Sequence, residues 1–529
     1  MSGKAFSIII RGGVIIDGTG NPWYKADVGI TDEQITKIGA INASAQINID
    51  AKGLVVAPGF IDMHSHSDLA VLNDPFSEAK IRQGVTTEVV GQDGLSVAPV
   101  RDGFKPIFKK FLAGLAGELK EWKWNTVGKY LDRIEEKGTA VNIATLVGHG
   151  TIRAFVMGFE NRKASIKELV HMKQLVEESM VEGAFGLSTG LIYAPCNYAE
   201  IHELIELSKS AAKHNGIFVI HLRNEGEKIL NALKEAFTIG EKARLPIHVS
   251  HHKVVGKENW GMVKETLKMI DKGREKGLDI TCDQYPYTAG STMLSALIPP
   301  WAHQGGVEKL LERLKDIEVR TKLKKDMKEG LPDWVGYPKV AGWENIRITY
   351  CKKNKDLEGK NIAEIARQRG ENPFDTTFNL LIEEDASPSM VIFHINENDM
   401  FTVMKHPCVM ISTDGLLCGK PHPRAYGTYP RILGRYVREY KKLKLEEAIQ
   451  KMTSLPAQRL NLQDRGLLKE NMYADITIFN AKKIVDKSTF DDPHIFPEGV
   501  RYVMVNGKIV LEKGKRSQIL SGMVIRHKK

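Results

Sequence analysis

The chain has 529 residues, with 75 Lys and Arg against 65 Asp and Glu, a formal net charge of +10. Hydrophobic residues make up 42%, charged residues 26% and aromatics 7%, which excludes a disordered, collagen-like or coiled-coil chain. No run reaches the roughly 18–20 apolar residues that span a bilayer. The length suits one large domain of about 250–400 residues with a smaller companion.

The opening MSGKAFSIIIRGGVIIDG carries an apolar stretch too short for a signal peptide and runs straight into strand-like sequence. The five cysteines, Cys196, Cys282, Cys351, Cys408 and Cys418, show no CxxC spacing. Neither a disulfide framework nor a cysteine zinc finger is indicated, so a reducing cytoplasm is the expected compartment. Basic residues alternate with acidic ones in stretches such as 308–329, the pattern of a solvated helix face. No basic-aromatic module for nucleic acid is present, and the positive excess suits a small carboxylate-bearing partner. The oligomeric state is left open.

Residues 1–61 read as short Ile- and Val-rich strands broken by Gly and Asn, and residues 465–529 return to that texture. The two termini are expected to pair into one small β-sandwich. Between them, over 62–464, eight apolar runs close in polar residues: 59–66, 86–94, 141–150, 184–191, 217–226, 246–253, 278–287 and 408–415. Amphipathic helical stretches separate most of them. This rhythm predicts an α/β fold, a (β/α)8 TIM barrel, rather than an open doubly wound sheet, whose nucleotide fingerprints are absent. About 120 residues part the seventh run from the eighth. A simple βα unit needs roughly a quarter of that. An inserted subdomain near 287–345, placed to act as a lid, is expected there.

The carboxyl ends of the strands of such a barrel converge on one site. Here they carry His64, His66, Asp93, His149, His221, the doublet His251-His252 and Asp414, from a chain with only 16 histidines. The shared chemistry of this group is metal ligation. His64 and His66 lie two apart on an extended strand, so both imidazoles reach one cation. His221 and His251 end later strands and offer a second position. Asp93 has two oxygens with which to bridge two cations. Imidazole with carboxylate suits zinc, with manganese or iron as alternatives. Which of His251 and His252 faces the site stays open, since a strand buried on both faces sets no parity. His248 reads as a core histidine and His149 as an orienting neighbour. Asp414 stands where a carboxylate can touch a metal, take a proton from a water and deliver it to a leaving nitrogen.

PGFIDMHSHSD, the strand-ending His221 and His251, and ISTDG together resemble the amidohydrolase superfamily. VVGQDGLSVAP, LVGHGTIR, GAFGLSTGLIYAP, HLRNEG, SHHK, YPYTAGST and HPRAYGTYPRILGRYVRE resemble one branch of it, the D-aminoacylases. The resemblance runs from about residue 6 to 510. It implies a barrel with a two-ended β-sandwich, one or two metals, and hydrolysis of the amide of an N-acyl-D-amino acid. On that pattern the ligands are His64, His66, Asp93, His221 and His251, with Asp414, itself placed to touch a metal, as the catalytic carboxylate. It also implies that Tyr193, Lys253 and Arg424 hold the substrate carboxylate, with Ser291 adding a hydrogen bond.

The chain departs from the family pattern twice. Asp93 stands where the branch usually has cysteine, and GLSTGL carries no lysine where many superfamily members bridge their metals. Asp93 fits that vacancy. The loop TAGSTMLSALIPPW, with Met293, Leu294, Leu297 and Trp301, predicts an apolar substrate side chain. The rival readings are a cyclic-amide hydrolase of the hydantoinase or dihydroorotase kind, and a barrel scaffold without catalysis.

Overall fold

Eight short runs buried on both faces can only be covered by helices outside and side chains inside, and that is how they are used. The computed structural model describes residues 6–116 and 122–528. The parallel barrel strands are β1 (Phe60–Asp62), β2 (Val85–Val90), β3 (Asn142–Thr145, continuing as Val147–Gly148), β4 (Gly186–Gly190) and β5 (Ile217–His221). They are followed by β6 (Ile247–Val249), β7 (Ile280–Gln284) and β8 (Val409–Ile411). Each pairs in parallel with the next. The ring closes where Asp414 N donates to the His64 carbonyl at 2.8 Å and His66 N to that of Gly415 at 3.3 Å. Ile61, Val89, Leu146, Phe185, Val219 and Met410 fill the interior.

Charge reinforces this closure. The buried Lys80 ammonium donates to Asp62 Oδ2 at 2.6 Å, Ser65 Oγ at 2.9 Å and Thr413 Oγ1 at 3.0 Å. It also pairs with Glu88 Oε2 at 3.0 Å. Asp62 Oδ1 in turn accepts from Thr413 N at 2.8 Å. Residues from β1, β2 and the end of β8 are thus held on one cation.

The helices begin where the sequence signals them. Ile166–Val181 starts at a capping box, Ser165 Oγ accepting from Glu168 N and Glu168 Oε2 from Ser165 N. The charged stretch 308–329 is two helices, Val307–Lys315 and Ile317–Glu329, because Asp316 accepts from the amides of Glu318 and Val319 and starts a new one.

Between β7 and β8 the chain builds a separate unit. Ser389–Phe393 pairs antiparallel with both Ala289–Met293 and Ile346–Tyr350, over a core that includes Leu294, Leu310, Ile348, Phe378 and Met390. The unit closes only at Phe393, beyond the expected limit near 345, because its central strand arrives last. At the two termini, five N-terminal and four C-terminal strands form one sheet, joined where Val55–Pro58 runs antiparallel to Ile476–Phe479. The tail then leaves that sheet. Ile143 N donates to Met523 O, Ile525 N to Ile143 O, and Ile525 packs against the barrel interior. Residues near 522–528 therefore belong with the barrel, not with the sandwich to which 465–529 is assigned above.

Lys80→Met leaves Asp62 and Glu88 buried without their counter-charge. A loss of about 3–5 kcal/mol in stability is expected, read as an earlier urea unfolding midpoint. An unchanged midpoint removes this cation from the account of barrel closure.

Candidate metal centre

Asp93 follows β2, His251 follows β6 and Asp414 follows β8, and all three turn sharply into the cleft. Their φ angles are +55°, +33° and +48°, left-handed values that cost strain in any residue with a Cβ. The turn at Asp93 needs room as well: a Cβ on Gly190 would stand 2.5 Å from the Asp93 carbonyl oxygen. Backbone strain and a close approach are thus both spent on aiming side chains at one spot.

The donor atoms of His64, His66, Asp93 and Asp414 lie within 4.8 Å of one another, as do those of Asp93, His221 and His251. Asp93 is common to both groups. Its Oδ2 stands 3.6 Å from His64 Nε2, 3.5 Å from His66 Nε2 and 3.9 Å from His221 Nδ1, and its Oδ1 is 3.8 Å from His251 Nε2. Asp414 Oδ1 is 3.2 Å from His66 Nε2 and 3.5 Å from His64 Nε2. Most of these spacings exceed a hydrogen bond. Two donors each about 2.0–2.2 Å from a tetrahedral ion lie about 3.3–3.6 Å apart, close to most of the spacings found; His221 Nδ1 and His251 Nε2 instead hydrogen-bond at 2.8 Å.

The electrostatics agree. Burial pulls the His64 and His66 imidazoles down, but the Asp93 and Asp414 carboxylates outweigh it and hold both above the ordinary histidine value. Burial opposes ionisation of Asp93, and the surrounding imidazoles still keep it well below the usual carboxylate range. His64 Nδ1 and Nε2, Asp93 Oδ1 and His221 Nε2 are buried without hydrogen-bond partners. Buried polar atoms left in this state cost stability unless something binds them.

The outer contacts orient these side chains. Asp283, at β7, accepts from His251 N at 3.1 Å, pairs with His248 Nε2 at 2.8 Å and stands 3.7 Å from His64 Nδ1. Glu225 pairs with Lys253 Nζ at 2.7 Å and lies 3.2 Å from His251 Nδ1. Neither was singled out from the sequence. Asp283 obeys the strand-end rule that found the others, and Glu225 follows His221 by four residues, in the loop after β5. His248 is satisfied at both nitrogens, by Thr281 and Asp283. His252 turns away from the cluster to Thr266, which resolves the doublet in favour of His251. His149 binds Thr189 and Glu203 behind β4 and does not touch the cluster.

Tyr193, Lys253 and Ser291 line the same cleft with Tyr285, Tyr337 and His394. Arg424 is fully buried, stacks on Tyr285 at 4.3 Å and meets Asp414 Oδ2 at 2.9 Å. It donates to the Ser291 carbonyl at 3.2 Å, whereas the Ser291 hydroxyl donates to the Met390 carbonyl at 2.9 Å. That proton is committed, which leaves the Ser291 hydroxyl as an acceptor only. The apolar wall expected from TAGSTMLSALIPPW is absent here. Leu294 and Leu297 turn into the core of the inserted unit, Met293 packs in the main core, and Trp301 donates its Nε1–H to Asp326.

The sequence profile described as "Amidohydrolase family" matches residues 48–511. A D-aminoacylase of Alcaligenes xylosoxydans xylosoxydans is 35% identical over 512 residues, 96% of this chain and 95% of its own length. An N-acyl-D-glutamate deacylase of the same organism is also 35% identical, over 97% of this chain and 95% of its own. The crystal structure of N-acyl-D-glutamate deacylase from Bordetella bronchiseptica, complexed with zinc and a phosphonate inhibitor, superposes with a TM-score of 0.84 at 31% identity. That match covers 99% of this chain and all of the other. A D-hydantoinase structure, at 14% identity and a TM-score of 0.54, shares the fold alone. The chain belongs to the amidohydrolase family.

Asp283→Asn keeps the shape of the side chain that orients His64 and His251 but removes its charge. Zinc affinity is expected to fall about 10–100-fold, measured by competition with a fluorescent chelator. Unchanged affinity means that Asp283 is a core group only.

Proposed function

We propose that the chain hydrolyses N-acyl-D-amino acids to a carboxylate and a free D-amino acid, using one or two zinc ions. The observation that carries this reading is the sharing of Asp93 between two imidazole pairs in a cleft lined by Lys253, with Arg424 buried against Asp414. The residues fit the metal: four imidazoles and two carboxylates converge, several of their atoms buried and unpartnered. His64, His66 and Asp414 would hold one ion and His221 with His251 a second, Asp93 bridging them in place of the family's usual cysteine. Zinc, when bound, supplies Lewis acidity that lowers the pKa of a coordinated water and polarises a carbonyl.

The rest is done by this chain. Lys253 and Arg424 pin the substrate α-carboxylate, and Tyr193, 2.8 Å from Thr292 Oγ1, limits where that group can sit. Water adds to the acyl carbon and gives a proton to Asp414, which passes it to the amide nitrogen as the C–N bond breaks. Arg424 bears on this step too. Burial alone would raise Asp414, but the guanidinium and His64 hold its carboxylate ionised. The stereochemistry follows the named relatives. β4 has Ser188 and Thr189 but no lysine, which disfavours the cyclic-amide reading.

No helix among the described residues is long and apolar enough to cross a membrane. We keep a reducing cytoplasm as the proposed compartment; no cysteine among the described residues is in a disulfide.

Zinc-loaded protein assayed on N-acetyl-D- and L-amino acids, hydantoin and dihydroorotate is expected to turn over the D-amides alone. Turnover confined to the cyclic substrates overturns the proposal. Asp414→Asn is expected to lower kcat about 10²–10⁴-fold while elemental analysis finds most of the metal retained. Arg424→Ala is expected to lower kcat as well as raise KM, unlike a residue that only clamps the carboxylate. A change in KM alone separates it from Asp414.

A further inference from the structure

The turn that leads into β8 lies at the end of the barrel away from the metal centre and gathers a thiol, an imidazole, a carboxylate and an ammonium. His406 Nδ1 is 3.1 Å from Cys408 Sγ, and its Nε2 is 3.0 Å from Oδ1 of Asp271, on the helix Val263–Glu275. Lys451, on the helix Leu445–Met452, donates to the carbonyls of His406 at 2.6 Å and Val409 at 3.2 Å, which puts its charge beside Cys408. Arg274 adds a second positive field. On β7, Cys282 pairs with Val409, and its amide donates to the Cys408 carbonyl at 3.0 Å. Because Cys408 stands in a turn, its side chain escapes the alternation of a strand, and the Cys282 thiol donates to its sulfur. That bond, and then His406, draws Cys408 down to about 5 against burial, while Cys282 is held well above the usual thiol value. One sulfur is thus a thiolate and its neighbour a thiol, the pairing of an attacking cysteine with a resolving one.

We infer that Cys408 is a site of oxidation by hydroperoxides and that Cys282 resolves the product into an intrachain disulfide between β7 and the base of β8. Cys408 is 2% exposed, but the His406 ring bridges its sulfur to the half-exposed Asp271, and a molecule as small as hydrogen peroxide enters along that ring. The thiolate attacks one peroxide oxygen: an S–O bond forms, the O–O bond breaks, and the leaving hydroxide takes a proton from the His406 imidazolium to become water. The Cys282 sulfur then attacks the sulfenic acid, the S–O bond breaks, and the departing hydroxide leaves as water with the Cys282 proton. Both sulfurs are oxidised by one electron each, and both peroxide oxygens end in water. A thiol pool reverses the step, as suits a transient disulfide in a reducing compartment.

The zinc-loaded full chain, treated with increasing hydrogen peroxide and then alkylated, is mapped by mass spectrometry of its peptides. A Cys282–Cys408 link, reversed by dithiothreitol, is expected first, ahead of the more exposed Cys418. Cys282→Ala is expected to stop at the sulfenic acid, captured by dimedone at Cys408. His406→Gln removes the proton donor and is expected to slow oxidation about tenfold or more. Between about pH 6 and 8 its rate is expected to climb with the thiolate fraction, where the wild-type rate stays level. The inference is overturned if Cys418 or Cys196 is oxidised before Cys408, if no Cys282–Cys408 link forms in the wild type, or if His406→Gln matches the wild type in rate and pH profile. None of these readings uses turnover, so the thiol pair and the deacylase reading stand or fall separately.

Discussion

The centre exists because the first and last barrel strands are locked in one register. Asp414 N meets the His64 carbonyl at 2.8 Å, and Thr413 is bound to Asp62 through both its amide and its hydroxyl. Two histidines and a carboxylate some 350 residues apart in sequence thereby face one point. A slip along that seam would misplace three of the six donor groups together. The buried Lys80 charge cluster beneath the seam fixes the register, because among the described residues Lys80 is the cation paired with both acids. Stability and chemistry are coupled at this point rather than traded against each other.

Much of this was legible in the sequence. Parallel strands buried on both faces leave continuous apolar runs, and all eight were visible. Functional side chains sit where those runs turn polar, so His64, His66, Asp93, His221, His251 and Asp414 stood out. Asp62 did not, although it lies in the same PGFIDMHSHSD stretch. Its partners Lys80 and Thr413 are joined to it only by the fold. Asp283 was hidden for a related reason: a buried acid at a strand end reads alike whether it binds a ligand or orients one.

The substrate wall was the least legible part. The loop after β7 looks apolar and close to the site, yet its leucines turn inward because the inserted unit has a core of its own to fill. The wall is made instead by residues far along the chain, such as Tyr337 on the short helix Tyr337–Ala341 and His394, the latter delivered by the antiparallel pairing of Ala289–Met293 with Ser389–Phe393. Local patterning reports which residues are buried, not in which core.

The C-terminal tail has a consequence for how the molecule is made. Synthesis runs from one end, so β1 to β8 leave the ribosome before Ile476–Phe479 can complete the terminal sheet and before Ile525 reaches the barrel floor. Until then the nascent barrel has an unplugged base and half a sheet exposed along Val55–Pro58. Folding of this chain thus finishes after translation has passed Asp414.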